Sequence, residues 1–155
     1  MKGYMSMIKV KYTFAVQRPA STLFAELTDF DNSYRWQTNE VLKEWHEPEG
    51  PVQLGTKGHQ LRMFRGKPIE TVNEITVFEP DQRMVAESSN SCIEYVVTPE
   101  GENASRMDFS IELKLRGMAN LFSPMIRRGL QQDVETRFQN LKRYLETGET
   151  SRNSW

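Results

Sequence analysis

Apolar and polar side chains alternate at the amino-terminal end of the chain: Ile8, Val10, Tyr12, Phe14 and Val16 interleave with Lys9, Lys11, Thr13 and Ala15. That period of two predicts a β-strand with one buried face. Arg18-Pro19 ends it. Pro19 suits the first turn of a helix, so residues 19–27 are expected to form a short helix with Leu23, Phe24 and Leu27 inward. The Asp- and Asn-rich run at 29–36 then predicts a turn and a second short helix delivering Trp36 to the core. Six further β segments are expected at 39–46, 56–64, 69–78, 83–89, 92–98 and 106–115. The turn signals between them are EPEGP, RGKP, EPDQ, a Ser-Asn pair and PEGEN. Such closely spaced strands pair antiparallel. In the last, Met107, Phe109, Ile111, Leu113 and Leu115 face one way and Asp108, Ser110, Glu112 and Lys114 the other, so the sheet has a dry face and a wet one.

Beyond residue 116 the period changes. Met125, Ile126, Leu130, Val134, Phe138, Leu141 and Leu145 recur at intervals of three and four, the stripe of a long amphipathic helix. Ser123 suits its N-cap and Pro124 its first helical position, with 117–122 forming a separate turn. Thr147-Gly148 supplies the stop. Gly129, inside the stripe, lowers helix propensity by about 1 kcal/mol relative to Ala. Two reasons are open for it: close approach of a bulky neighbour, or a gap beside the helix open to a ligand.

Composition narrows the function classes. The chain has 155 residues, 37% of them hydrophobic, the size of one domain with one core. No repeat or linker divides it, so residues 1–148 are read as a single domain and 149–155 as a disordered tail on which Trp155 is available to dock. Twenty basic and twenty-one acidic side chains leave a formal net charge of −1, so no long-range field drawing nucleic acid or an anionic membrane is expected. The single Cys92 excludes an internal disulfide and fits a reducing compartment. The opening MKGYMSMIKV has no apolar run of signal-peptide length, and nothing reaches membrane-spanning length. A cytoplasmic protein without stable membrane insertion is expected.

The order of strand, two short helices, six strands and a long helix carries a family resemblance. The stretch VQRPASTLFAELTDFDNSYRW, then Gly55-Thr56, FRG at 64–66, FEP at 78–80, LKLRG ahead of LFSP, and the closing LKRYLE resemble the polyketide cyclase/dehydrase-like branch of the START-related (SRPBCC) superfamily, from Ile8 to Glu146. The resemblance implies an α+β helix-grip fold: a curved, seven-stranded antiparallel sheet wrapped around the carboxy-terminal helix with a hydrophobic cavity between them. It implies no shared catalytic signature, and fold alone does not settle function.

The candidate chemistry is sparse. His46 and His59 are the only histidines, and no carboxylate stands at helical ligand spacing from either, so no metal and no cofactor is expected. His46 precedes a Pro-Gly turn and is read as solvated. His59 lies with Leu61 and Met63, or opposite them should Gly58 make a bulge. Arg62 is either an interior cation for a ligand carboxylate or an outward arginine. Asn73 sits on the more apolar side of its strand, a buried amide that needs a partner, protein or ligand. Tyr95, between Ile93 and Val97 at strand period, points inward. Glu70, Glu74, Glu94, Asp108 and Glu112 fall outside and leave no carboxylate pair for proton transfer, with Asp133 and Gln132 marginal exceptions. Serine-rich 88–91 has no nucleophile elbow, and no glycine-rich phosphate loop precedes a helix. Eight methionines either adapt to a ligand or fill an irregular core.

These residues favour binding or carriage of a small hydrophobic or amphipathic molecule. The expected pocket lining is Trp36, Phe64, Asn73, Tyr95, Phe109, Phe122, Met125 and Gly129, with His59 and Arg62 as polar anchors. Two alternatives stand beside it. One is an enzyme acting on a cyclic or aromatic substrate, with His59, Tyr95 or Asp133 as its acid or base. The other is an interaction module with a filled core.

Overall fold

The computed structural model describes residues 5–155; the leader reading at 1–4 lies outside them. Seven strands form one antiparallel sheet: β1 (Met5–Val16), β2 (Val41–Glu47), β3 (Lys57–Phe64), β4 (Lys67–Glu79), β5 (Arg83–Glu87), β6 (Ser91–Pro99) and β7 (Ser105–Arg116). Their order across the sheet is β1-β7-β6-β5-β4-β3-β2. Every sequential pair from β2 to β7 is a neighbour, and β1 closes the far side against β7. Between β1 and β2 lie helix α1 (Ala20–Thr28) and a 3-10 segment, Phe30–Arg35; after β7 come a second 3-10 segment, Gly117–Phe122, and the long helix α2 (Ser123–Thr147). This is the expected helix-grip arrangement of a curved sheet around a carboxy-terminal helix.

Register explains the dry face. Tyr12 stands opposite Phe109, Phe109 opposite Tyr95, and Tyr95 opposite Met84. One row along, Val10, Ile111, Ile93, Ala86 and Ile75 line up across five strands. Because alternate residues share a face, these rows form a continuous apolar surface. The β3–β4 connection is a two-residue hairpin loop in which Arg65 (φ 52°) and Gly66 (φ 76°) both take left-handed conformations, the geometry that matches strand twist.

Helix α2 closes the dry face. Phe138 is at its centre, with ring centroids of Tyr12 at 5.9 Å, Phe14 at 5.9 Å, Trp36 at 6.2 Å, Tyr95 at 6.4 Å and Phe109 at 4.8 Å. Val134, Leu141 and Leu145 complete the buried stripe. The helix ends where its carbonyls need a left-handed cap, and Gly148 supplies it at φ 82°.

Four local expectations are corrected. Ser123 is the first helical residue and not the N-cap, a place taken by Phe122, whose side chain makes no capping bond; Pro124 lies in the first turn. Pro19 caps α1 from outside, its carbonyl accepting from the amides of Thr22 and Leu23. Gly58 makes no bulge: β2 and β4 pair through it in continuous register, and the irregularities fall at Val41/Lys43 and Ile75/Val77. Gly58 is needed for space, since a Cβ there would meet the Phe30 ring at 3.2 Å. Finally, the tail expected to be disordered is docked. The Ser151 amide donates to the Arg35 carbonyl at 2.8 Å, Arg152 donates to the Thr38 carbonyl at 2.6 Å, and the Trp155 indole donates to the Asp31 carbonyl at 2.9 Å.

Gly129 has neither neighbour nor strain. A Cβ built there meets nothing within 4 Å, and its backbone is not left-handed, so the close-approach reading falls. Gly129→Ala is therefore expected to stabilise the protein by about 0.5–1 kcal/mol through helix propensity and loss of unfolded-chain freedom. Urea denaturation reads this directly, and a lowered midpoint would show that the space matters.

Candidate functional site

The sheet is longer than the helix stripe that fills it. From Val134 onward α2 is packed into the core, but its first two turns contribute only Ile126 and Leu130 as half-buried apolar groups. Below them, between β3, β4, the β5–β6 turn and the inner faces of β6 and β7, lies a cavity of about 600 Å³. That volume falls in the range of small-molecule sites.

One wall is apolar. Ile75, Met84, Ala86, Ile93, Ile111 and Leu113 come from the sheet, Leu130 from α2 and Phe30 from the 3-10 segment after α1. The other wall is polar, built on β2, β3, β4 and α2. Glu44 accepts from Gln37 at 2.8 Å, from Gln60 at 2.9 Å and from the Ser33 hydroxyl. Asp133 accepts from Thr38 at 2.9 Å and is gripped by Arg137 at 2.6 Å, with Arg62 at 3.4 Å on its other oxygen. Arg62, Arg137, Gln37, Glu44 and Gln60 all reach the cavity wall. Both guanidinium groups are committed to Asp133 behind the wall, and Glu44 and, from β4, Glu70 add their carboxylates to the lining, so no unpaired cation is presented to the cavity.

Buried ions survive only when paired. Burial alone would raise the Asp133 pKa, but Arg137 and Arg62 outweigh it and hold the carboxyl below the usual carboxylate range. Burial likewise opposes the charge on Arg137, and the Asp133 carboxylate keeps its pKa above the ordinary value. Tyr95 borders both walls. Burial pushes its phenol up to about 12, with Glu44 adding to the rise and Arg137 opposing it, so at neutral pH the hydroxyl keeps its proton. The phenol's pKa is higher in the folded chain than its ordinary 10, so its contribution to stability is complete below pH 10 and vanishes as pH rises towards 12. A rise of that size corresponds to roughly 2–3 kcal/mol. In alkaline titration of stability, Tyr95→Phe is expected to lose less between those limits than the parent protein; equal losses would mean the phenol is solvated.

The residues expected at the site are scattered over three environments. Asn73, Tyr95, His59 and Arg62 border the cavity. Asn73 accepts from the Ser91 hydroxyl at 3.0 Å, which leaves its amide NH₂ for a further partner. Arg62 is interior, but its charge is already committed to Asp133. His59 touches the cavity from a strand whose side chain points to the other face, beside Leu61. Its ring stacks on Trp45 with centroids 5.0 Å apart, and Nε2 lies 3.1 Å from Glu47. Trp36 and Phe109 belong to the packed core around Phe138 and not to the cavity wall. Phe64, Phe122 and Met125 are exposed, and Gly129 faces open space. Met125 therefore leaves the helix stripe in which its spacing placed it.

Glu44, Gln60 and Arg137 were not anticipated. For Arg137 a signal exists: counted from Leu130, Val134 and Leu141, it falls within the apolar arc of α2, four residues after Asp133. A charged i,i+4 pair inside such an arc is a buried pair in waiting. Glu44 has no comparable mark, since its strand alternates poorly. Among the described residues, no group of three His, Cys, Asp or Glu is placed to hold a metal, and no helix is long and apolar enough to cross a membrane.

Comparison with known proteins adds to this geometry. Residues 7–146 match the family model described as polyketide cyclase / dehydrase and lipid transport. No match was found among curated proteins. A START superfamily protein from Mycobacterium smegmatis is similar in structure, with TM-score 0.69 and 13% identity over 86% of this chain and 94% of that one. A protein of unknown function from Staphylococcus aureus has TM-score 0.73 and 12% identity over 93% and 96%. The di-domain ARO/CYC protein BexL of the BE-7585A biosynthetic pathway has TM-score 0.65 and 13% identity over 88% of this chain and 46% of its own. At these identities the likeness is one of fold.

Proposed function

Because the chain belongs to the polyketide cyclase / dehydrase and lipid transport family, we propose that it binds a small amphipathic molecule in the cavity between the sheet and the first turns of α2. The observation that carries this reading is the cavity itself, about 600 Å³ with one apolar and one polar wall, opening to solvent beside the packed core. The cleft opens to solvent past Glu70, Thr71 and Val72, so its apolar wall is surface that a bound hydrocarbon or ring would remove from water. The apolar wall takes a hydrocarbon or ring body, while Asn73, Gln60 and Tyr95 offer hydrogen bonds to a polar end. Because Arg62 and Arg137 are already paired with Asp133 and the lining carries the carboxylates of Glu44 and Glu70, an uncharged head group meets less resistance there than an anionic one.

Binding is favoured over catalysis by the state of the polar groups. Asp133 is held ionised between two arginines and Tyr95 is held protonated, so neither exchanges a proton easily near neutral pH. His59 directs its ring to the outer face. The test is native mass spectrometry of the purified protein, followed by extraction of any co-purified compound and thermal-shift measurement with a panel of fatty alcohols, sterols and polycyclic phenols. A bound compound, or a shift abolished in the cavity-filling variant Ala86→Phe/Ile93→Trp, supports the reading. A ligand-free mass with no shift across the panel removes it.

A further inference from the structure

The whole-chain charge balance conceals a local asymmetry. Between Glu112 and Asp133 there is no acidic residue, but there are Lys114, Arg116, Arg127 and Arg128, all exposed. The facing β3–β4 hairpin adds Arg65 in its loop and Lys67 at the start of β4, also exposed. The same region carries large apolar side chains that nothing covers. Met118 is 72% exposed, Leu121 74%, Phe122 40% and Met125 64%; Phe64 and Ile69 on the adjoining hairpin are exposed as well. Met118, Leu121 and Phe122 belong to the 3-10 segment and Met125 to the first turn of α2, so the exposed apolar groups fall within eight consecutive residues at the junction of the two elements. Arg65 ties hairpin and helix start together, its guanidinium 5.5 Å from the Phe64 ring and 5.7 Å from the Phe122 ring. The middle of the 3-10 segment is anchored to β1, where the Ser6 amide donates to the Asn120 side-chain oxygen at 2.8 Å.

We propose that this face, formed by Met118, Leu121, Phe122 and Met125 with Phe64 and ringed by Arg65, Arg127 and Arg128, docks the protein on an anionic lipid surface. Scattered exposed apolar residues are ordinary, but a contiguous group of Leu, Met and Phe is not. With Arg65, Arg127 and Arg128 around it, it has the composition of an interfacial surface: apolar side chains enter the acyl boundary while arginines meet phosphate head groups. The charge selects the occupant. A second copy would bring the same cations face to face, and that repulsion disfavours a symmetric dimer through this patch. The contact is peripheral, since no helix among the described residues is suited to span a membrane. It also needs no ligand in the cavity, so it stands or falls apart from the binding function proposed above.

The test uses the full chain and sedimentation with vesicles of phosphatidylcholine alone or with 30% phosphatidylglycerol. The expected result is binding to the anionic vesicles that weakens as salt is raised, and little to the neutral ones. Arg127→Glu/Arg128→Glu is expected to cut anionic binding by at least about tenfold, and Leu121→Asp/Met125→Asp to reduce it comparably. All four side chains are solvent-facing, so the variants should keep the parent's circular dichroism and melting temperature. Failure to bind anionic vesicles overturns the proposal. So does binding that neither variant weakens, or a concentration-dependent dimer abolished by Leu121→Asp/Met125→Asp without vesicle binding, which would assign the face to a second copy.

Discussion

Phe138→Ala should destabilise the protein by about 3–5 kcal/mol, a large part of the 5–15 kcal/mol typical of a domain. The side chain is fully buried, and five aromatic rings on four different elements converge on it: Tyr12 and Phe14 from β1, Trp36 after the first 3-10 segment, Tyr95 from β6 and Phe109 from β7. Rings held from separate strands cannot collapse together into the vacated space, so the cavity term adds to the lost transfer energy. The new void would also lie beside Tyr95, which already borders the native cavity. Urea unfolding measures the loss; a value under about 1 kcal/mol would show that the aromatic centre repacks and that Phe138 is not the keystone of sheet and helix.

Arg137→Met is the second large effect, expected at about 3–5 kcal/mol. The substitution keeps much of the aliphatic volume but removes the 2.6 Å partner of Asp133, leaving that buried carboxylate with Arg62 at 3.4 Å and the Thr38 hydroxyl. The loss reflects the stranded charge more than the worth of the pair, so Asp133→Leu/Arg137→Met should regain most of it. The pH dependence separates the two causes. In the parent, the Asp133 pKa is depressed by folding, so its stabilising contribution is present above the unfolded carboxylate range and is lost as pH falls through the folded value. In Arg137→Met burial outweighs the remaining Arg62, and stability should rise on mild acidification as Asp133 takes up a proton. Identical acid profiles for parent and variant would mean that the pair is wet.

Much of the fold was legible in the sequence. The strand at Ile8 to Val16 and that at Met107 to Leu115 were plain because their faces differ all along their length, and the β1–β7 pairing buries just those alternate residues. The long helix was marked equally well by its 3.6 period and by Gly148. The site was legible only in part. Strand alternation turns Asn73 and Tyr95 inward, and both border the cavity; for Arg62 it leaves inward and outward open, and the side chain lies inward on Asp133. An apolar residue on a helical period normally finds a core, which makes Met125 a lining residue in sequence; here α2 begins beyond the edge of the packed region, and Met125, like Phe122 before it, stands in solvent. Glu44 and Arg137 escaped notice for the converse reason. A charged residue is expected outside, and nothing near it in the chain shows that a partner from another element will meet it there.

The sequence by itself determined the succession of elements, the buried faces of β1 and β7 and the carboxy-terminal stop of the long helix, because periodicity, turn chemistry and capping act between residues a few positions apart. It could not determine where along α2 the packing begins, which charges pair across β3 and the helix, or that Gly58 makes room for Phe30. Those were decided by tertiary structure, since each depends on the distance between groups that the chain brings together only when the sheet closes around the helix.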